Sequence, residues 1–108
     1  MRIGYTFRNV DSSDALKDYA KQKIGRLQKY LRTPLDAEVT LSAERHLMRV
    51  HVILTADGGR YEGFEDAETA YAAVDLVVDK LDRQVRSAKE AEMANRRQTA
   101  NGAVKAPE

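Results

Sequence analysis

Apolar and polar positions along this chain follow two periods in turn, and the switches between them mark its elements. In residues 2–8, Ile3, Tyr5 and Phe7 alternate with Arg2, Thr6 and Arg8, the period-two pattern of a strand with one buried face. Ser13 followed by Asp14 predicts a helix start, with a capping hydroxyl and negative charge in the first turn. From 14 to 32 the period becomes helical. Leu16, Ala20, Ile24, Leu27 and Leu31 fall within an arc of about 80° when each residue advances about 100°. Gly25 lies on the far side of that arc, and Thr33-Pro34 ends the helix, because a residue before proline avoids helical geometry.

Alternation then returns. Ala37, Val39, Leu41 and Ala43 predict a second strand; a turn follows around Arg45 and His46. Met48, Val50, Val52 and Leu54 predict a third strand, and Asp57-Gly58-Gly59 is a hairpin signal leading to a short fourth strand over 60–64. Gly63 leaves room for another element to pack closely. The last element is a long helix over 66–97, with Asp66 as N-cap and Glu68 in its first turn. Its buried stripe is Tyr71, Val74, Val77, Val78, Leu81 and Val85, with Leu76 opposite. The stripe is spent by about Ala94, so residues 1–94 are expected to form the domain and 95–108 a disordered tail.

The order is therefore β-α-β-β-β-α, an α+β fold. A helix joins the first two strands, which predicts a parallel pair with a right-handed crossover; the remaining strands form an antiparallel meander. Each helix has one apolar face, so both should pack on the same face of a four-stranded sheet.

Composition narrows the chemistry. The chain has no cysteine, which removes disulfide and thiolate chemistry and fits a reducing compartment. No apolar run could span a bilayer, and the N-terminus lacks a signal core, so a cytoplasmic protein with no membrane partner is expected. Net charge is only +1, but its distribution is informative. Lys17, Lys21, Lys23, Arg26, Lys29 and Arg32 face the single acid Asp18 over 17–32, whereas 57–79 carries seven acids and the single base Arg60. Such sorting steers one face toward a polyanion.

Two adjacent helices would join their basic flanks into one patch: Lys23, Arg26 and Lys29 with Lys80, Arg83, Arg86 and Lys89, and Gln84 within reach of a sugar or base edge. Such residues also make ordinary solvated helix faces. Tyr19 and Tyr30 beside Lys23 could stack on bases, although their place at the edge of the apolar arc favours packing. His46 and His51 are the only histidines, and odd spacing points strand side chains to opposite faces, which argues against a shared metal or a catalytic pair. Gly58-Gly59 lacks the lysine and spacing of a phosphate-binding loop, and no nucleophile has a base near it. No cofactor, metal, small-molecule substrate or catalytic residue is expected. A general RNA-binding or RNA-chaperone module, and a protein-interaction domain using the acids around Glu62–Glu68, stay open at this point.

Residues 13–30 and 70–85, above all the segments Tyr-Ala-Ala-Val-Asp and Lys-Leu-Asp-Arg-Gln, resemble the ribosome hibernation-promoting factor and ribosome-associated inhibitor family. The resemblance covers roughly residues 3–89. It implies a fold similar to double-stranded-RNA-binding domains and a factor that binds small-subunit (30S) rRNA in the channel for messenger and transfer RNA. Such a factor inhibits translation under stress or in stationary phase, on 70S ribosomes or paired 100S ones. It implies rRNA contacts at Lys23, Arg26, Lys29, Lys80, Arg83, Gln84, Arg86 and Lys89. Ser87 and Ala88 stand where the family usually has a basic residue and often a histidine, which thins the patch there. The chain resembles the short members, and Arg96 with Arg97 hints at those whose tail prevents ribosome pairing.

Overall fold

The computed structural model describes the backbone of residues 1–102 and side chains through Asn95. Four strands form one sheet in the order β1-β2-β3-β4: β1 Arg2–Arg8, β2 Asp36–Glu44, β3 Leu47–Ala56 and β4 Gly59–Ala67. β1 and β2 are parallel, with Tyr5 opposite Val39. The β2–β3 and β3–β4 pairs are antiparallel, with Val39 opposite Val52 and Val52 opposite Gly63. That register puts Val39, Leu41, Val50, Val52 and Leu54 on one buried face, as period-two alternation requires. The β3–β4 turn holds both Asp57 (φ 53°) and Gly58 (φ 74°) in the left-handed region, the geometry that suits the twist of a two-residue hairpin.

The helices α1 (Asp14–Gly25) and α2 (Ala70–Gly102) supply the other layer. Leu16, Ala20 and Ile24 of α1 and Val74, Val77, Leu81 and Val85 of α2 are buried against the sheet in one core. At Gly63 a β-carbon would lie 3.5 Å from Val77 Cγ2 and 3.1 Å from Lys80 Cδ, so the absent side chain is what admits α2 over β4.

The structure shifts several expected boundaries. The first helix does not run to residue 32: α1 stops at Gly25, and Arg26–Tyr30 is a 3₁₀ segment. The side chain of Gln28 fixes this tighter exit by donating to Thr33 O (2.9 Å) and accepting from Leu35 N (2.9 Å). Asp66 is not the cap of α2. It lies in β4 and holds Arg49 through two bonds of 2.7 and 3.0 Å. Thr69 takes the cap instead, its hydroxyl oxygen accepting from Ala72 N at 3.1 Å, and Glu68 therefore precedes the first turn. β4 is longer than 60–64. Tyr71 leaves the buried stripe: it is 42% exposed, and its ring meets Tyr19 edge-on at 5.0 Å, while Ala70 and Ala73 complete the buried face.

The helix is continuous past Ala94 to Gly102. The side chains of Arg96 and Arg97, and residues 103–108 of the expected tail, lie outside the described residues.

Candidate nucleic-acid interface

The bases of the first helical segment face carboxylates of α2 across a groove between the helices. Lys23, Arg26, Leu27 and Lys29 line one wall; Asp75, Val78, Asp79 and Asp82 line the other, around about 440 Å³ of space. The 3₁₀ geometry matters here, because it carries Arg26 and Lys29 on a tightened turn with both side chains exposed. Lys29 Nζ sits 5.2 Å from the ring of Tyr30, which leaves its charge available to solvent. Lys23 is turned inward, over Tyr19 at 5.3 Å and 3.6 Å from Asp75 Oδ1. Tyr19 donates its hydroxyl to the same carboxylate at 2.7 Å, and that bond, ahead of burial, raises the Tyr19 pKa. The tyrosine thus ties α1 to α2 rather than presenting a free stacking face.

The expectation of one continuous ridge needs correction. Lys80 lies about 140° around α2 from Asp75, at about 100° per residue, and points to β4. Its ammonium pairs with Glu65 at 2.7 Å and lies 3.4 Å from Phe64 O. Gln84 follows the same flank and donates to Glu62 O at 2.9 Å. Together they satisfy carbonyls of β4, which has a sheet neighbour only on its β3 side; capping an edge in this way blunts its tendency to recruit another strand.

Arg86 and Lys89 return to the α1 side of α2, and both are engaged. Arg86 Nε donates to Asp82 Oδ1 at 2.7 Å, one helical turn back; this raises the guanidinium pKa. Lys89 pairs with Asp57 of the β3–β4 turn. The Asp57 carboxylate, only 9% exposed, also accepts from Arg32 N (3.1 Å), Thr33 N (2.8 Å) and the Thr33 hydroxyl (3.0 Å). The Lys89 bond first, then the two backbone N–H groups, hold the Asp57 carboxyl far below the usual carboxylate range, as expected when several donors converge on one anion. The same contact raises the Lys89 pKa. Lys89 is thus a clamp between the hairpin, the loop before β2 and α2.

Among the eight residues singled out from sequence, Arg26, Lys29 and Arg83 are exposed and form no ion pair with a carboxylate among the described residues. The pairing of the others was invisible in sequence because most partners are remote: Asp57 is 32 positions from Lys89 and Glu62 is 22 from Gln84. Two pairs had a local signal: Asp82–Arg86 at i and i+4, and Lys89–Glu92 at i and i+3, 3.5 Å apart. The sequence counts Asp75 and Asp79 among the acids of 57–79, apart from the bases, but with Asp82 their i, i+4, i+7 spacing places them on one stripe of α2, opposite Lys23, Arg26 and Lys29.

Among the described residues, the other face of the sheet carries no helix. There His51 Nε2 meets Glu62 at 2.6 Å, and Phe64, 52% exposed, has the Arg49 guanidinium 5.1 Å from its centroid. Among the described residues no group of three or more His, Cys, Asp or Glu could hold a metal, and no described helix is long and apolar enough to cross a membrane.

The family model described as "Sigma 54 modulation protein / S30EA ribosomal protein" matches residues 3–92. A ribosome hibernation promoting factor from Azotobacter vinelandii is 32% identical over 90 residues, which cover 83% of this chain and 84% of that protein. One from Escherichia coli is 28% identical over 85 residues, covering 79% and 90%. Among solved structures, the N-terminal domain of Thermus thermophilus Protein Y superposes with a TM-score of 0.76 at 33% identity, over 81% of this chain and 98% of that one. A ribosomal subunit interface protein from Coxiella burnetii shares the fold, with a TM-score of 0.72 at 21% identity over 83% and 99%.

Proposed function

Since the chain belongs to the Sigma 54 modulation protein / S30EA ribosomal protein family, we propose that it is a cytoplasmic, non-catalytic ribosome hibernation factor. In this reading it binds rRNA of the small subunit, places its folded body in the path of messenger and transfer RNA, and stops translation in stationary phase or under stress. The observation that carries the site is the subset of the seven candidate bases left over after internal pairing. Arg26, Lys29 and Arg83 are exposed and without a carboxylate partner among the described residues, so a phosphate can approach them without displacing an existing bond. Lys23, Lys80, Gln84, Arg86 and Lys89 shape and brace the surface, and the carboxylate beside each of the four bases offsets part of the attraction it would exert on a phosphate.

Sucrose-gradient sedimentation of stationary-phase lysate, probed for this protein, tests the reading. Co-migration with small subunits, 70S ribosomes or 100S pairs is expected. Absence from every ribosomal fraction contradicts it. Competition between purified small subunits and bulk RNA separates it from a general RNA-binding module, which would lose ribosome binding as free RNA is added.

A further inference from the structure

On the sheet face turned away from α1 and α2, the register sets side chains in rows across the strands. Thr40, His51 and Phe64 are neighbours in one row; Arg8, Ser42 and Arg49 are neighbours in the next. These six border one cleft of about 420 Å³, with Glu44 also on its wall. Phe64 is more than half exposed, an apolar ring set among hydroxyls and charges. Arg49 is pinned beside it, its guanidinium 5.1 Å from the ring centroid and bound to Asp66 at 2.7 and 3.0 Å. Lys80 approaches the same ring at 5.9 Å. The ring is therefore held in place without being buried. At the other end of the cleft Arg8 is exposed and forms no ion pair among the described residues. Between them the Ser42 hydroxyl is fixed on Glu44 at 3.0 Å, and His51 is tied to Glu62 through Nε2, which leaves its other nitrogen for a ligand. From Phe64 in β4 to Arg8 in β1 there are three strand spacings, about 14 Å.

We propose that this open face is a second RNA-binding site, which takes a short unpaired stretch of single-stranded RNA with a base stacked on Phe64 and a phosphate on Arg8. A ligand that uses the whole cleft brings a flat ring for Phe64, an anion for Arg8, and hydroxyls or ring nitrogens for the polar floor between them. A strand of RNA carries all three on one backbone. Arg49, held flat by Asp66, widens the stacking platform beside the ring. The two guanidiniums of the cleft outnumber its one carboxylate, Glu44, which favours an anionic strand. A peptide matches the cleft less well. Peptides that extend a sheet pair with an edge strand, and an amphipathic helix needs an apolar groove, whereas this floor is hydroxyl and charge. The site lies across the sheet from the helices and draws on none of Arg26, Lys29 and Arg83.

The test measures dissociation constants of fluorescently labelled hexa-adenylate and hexa-uridylate at one salt concentration, with backbone amide shifts to locate the bound strand. It uses the intact chain and the Phe64→Leu, Phe64→Tyr and Arg8→Gln variants. Both positions are exposed, so the variants keep the fold. The intact chain should hold hexa-adenylate about threefold more tightly than hexa-uridylate, since a purine offers more ring to stack. Phe64→Leu should weaken hexa-adenylate binding about tenfold and Phe64→Tyr less than about twofold. Arg8→Gln should weaken it about threefold. Amide shifts should centre on residues 40–42, 49–51 and 64. Shifts confined to α1, the 3₁₀ segment and α2 overturn the proposal. So does a Phe64→Leu chain that binds hexa-adenylate as tightly as the natural one, or an intact chain that binds neither strand. The measurement involves no ribosome, so its outcome is separate from that of the ribosomal reading.

Discussion

The bases on the 3₁₀ segment and those on α2 look alike in sequence and differ in what faces them. Arg26 and Lys29 sit on a short, tight turn that projects both into solvent. Lys80, Arg86 and Lys89 sit on a helix flanked by carboxylates of β4, of its own preceding turn and of the β3–β4 hairpin. A lysine on a helix therefore carries free charge only where the neighbouring elements leave it unmatched. Counting basic residues along the chain overstates the surface available to a polyanion. The paired bases contribute to architecture: Lys80 and Gln84 cap an edge strand, and Lys89 locks α2 to a turn.

Reversing charge on the two sets is the strongest way to break this comparison. The Arg26→Glu/Lys29→Glu/Arg83→Glu variant should lose small-subunit affinity by about a hundredfold or more while its melting temperature changes little, because three phosphate contacts are lost and exposed sites seldom carry stability. Sedimentation with purified subunits and circular dichroism melting read the two quantities. The opposite profile is expected of Asp57→Asn, which keeps a residue tolerant of the turn's positive φ but removes the charge that four donors share. Its melting temperature should fall by roughly 5–10 °C, with small-subunit affinity at low temperature shifting by less than about threefold.

Acid sharpens the contrast further. The Asp57 carboxyl is depressed in the folded state, so its stabilising contribution is present in full above the unfolded carboxyl pKa of about 4 and is lost as pH falls toward the folded value. The melting-temperature gap between the natural chain and Asp57→Asn should therefore be constant near neutrality and narrow progressively below about pH 4. A gap that persists unchanged to pH 2 would mean that the lost stability came from turn shape, not charge. The smallest effect is expected of Lys80→Met, which keeps the stem packed over Gly63 and removes only the ammonium. Small-subunit affinity should change by less than about threefold.

The elements were legible because each has a pure period: Ile3, Tyr5 and Phe7 alternate in β1, and Val74, Val77 and Leu81 recur at helical spacing in α2. Boundaries were less so. The 3₁₀ exit depends on Gln28 bonding both Thr33 and Leu35, a side-chain contact that the apolar pattern does not encode. Asp66 is a good cap by residue type, but β4 runs on through it to Ala67, which moves the cap to Thr69. Tyr71 fits the helical stripe by spacing but lies at its margin, where Tyr19 offers a ring to pack on. At the candidate interface, sequence supplied the residue types and the neighbourhood of the two helices. It could not supply the partners, since Lys89 meets Asp57 and Gln84 meets Glu62 only once the chain has folded.

The number of cations left free is the quantity on which the account turns, and the salt dependence of binding to purified small subunits measures it. Three phosphates neutralised predict a log–log slope of about −2 to −3, whereas release of counterions by all seven candidate bases predicts about −5 to −6. A slope in the shallower range supports contact through Arg26, Lys29 and Arg83 alone. A slope of −5 or steeper would show that the internal ion pairs open on the ribosome, and would contradict the division between free and engaged bases.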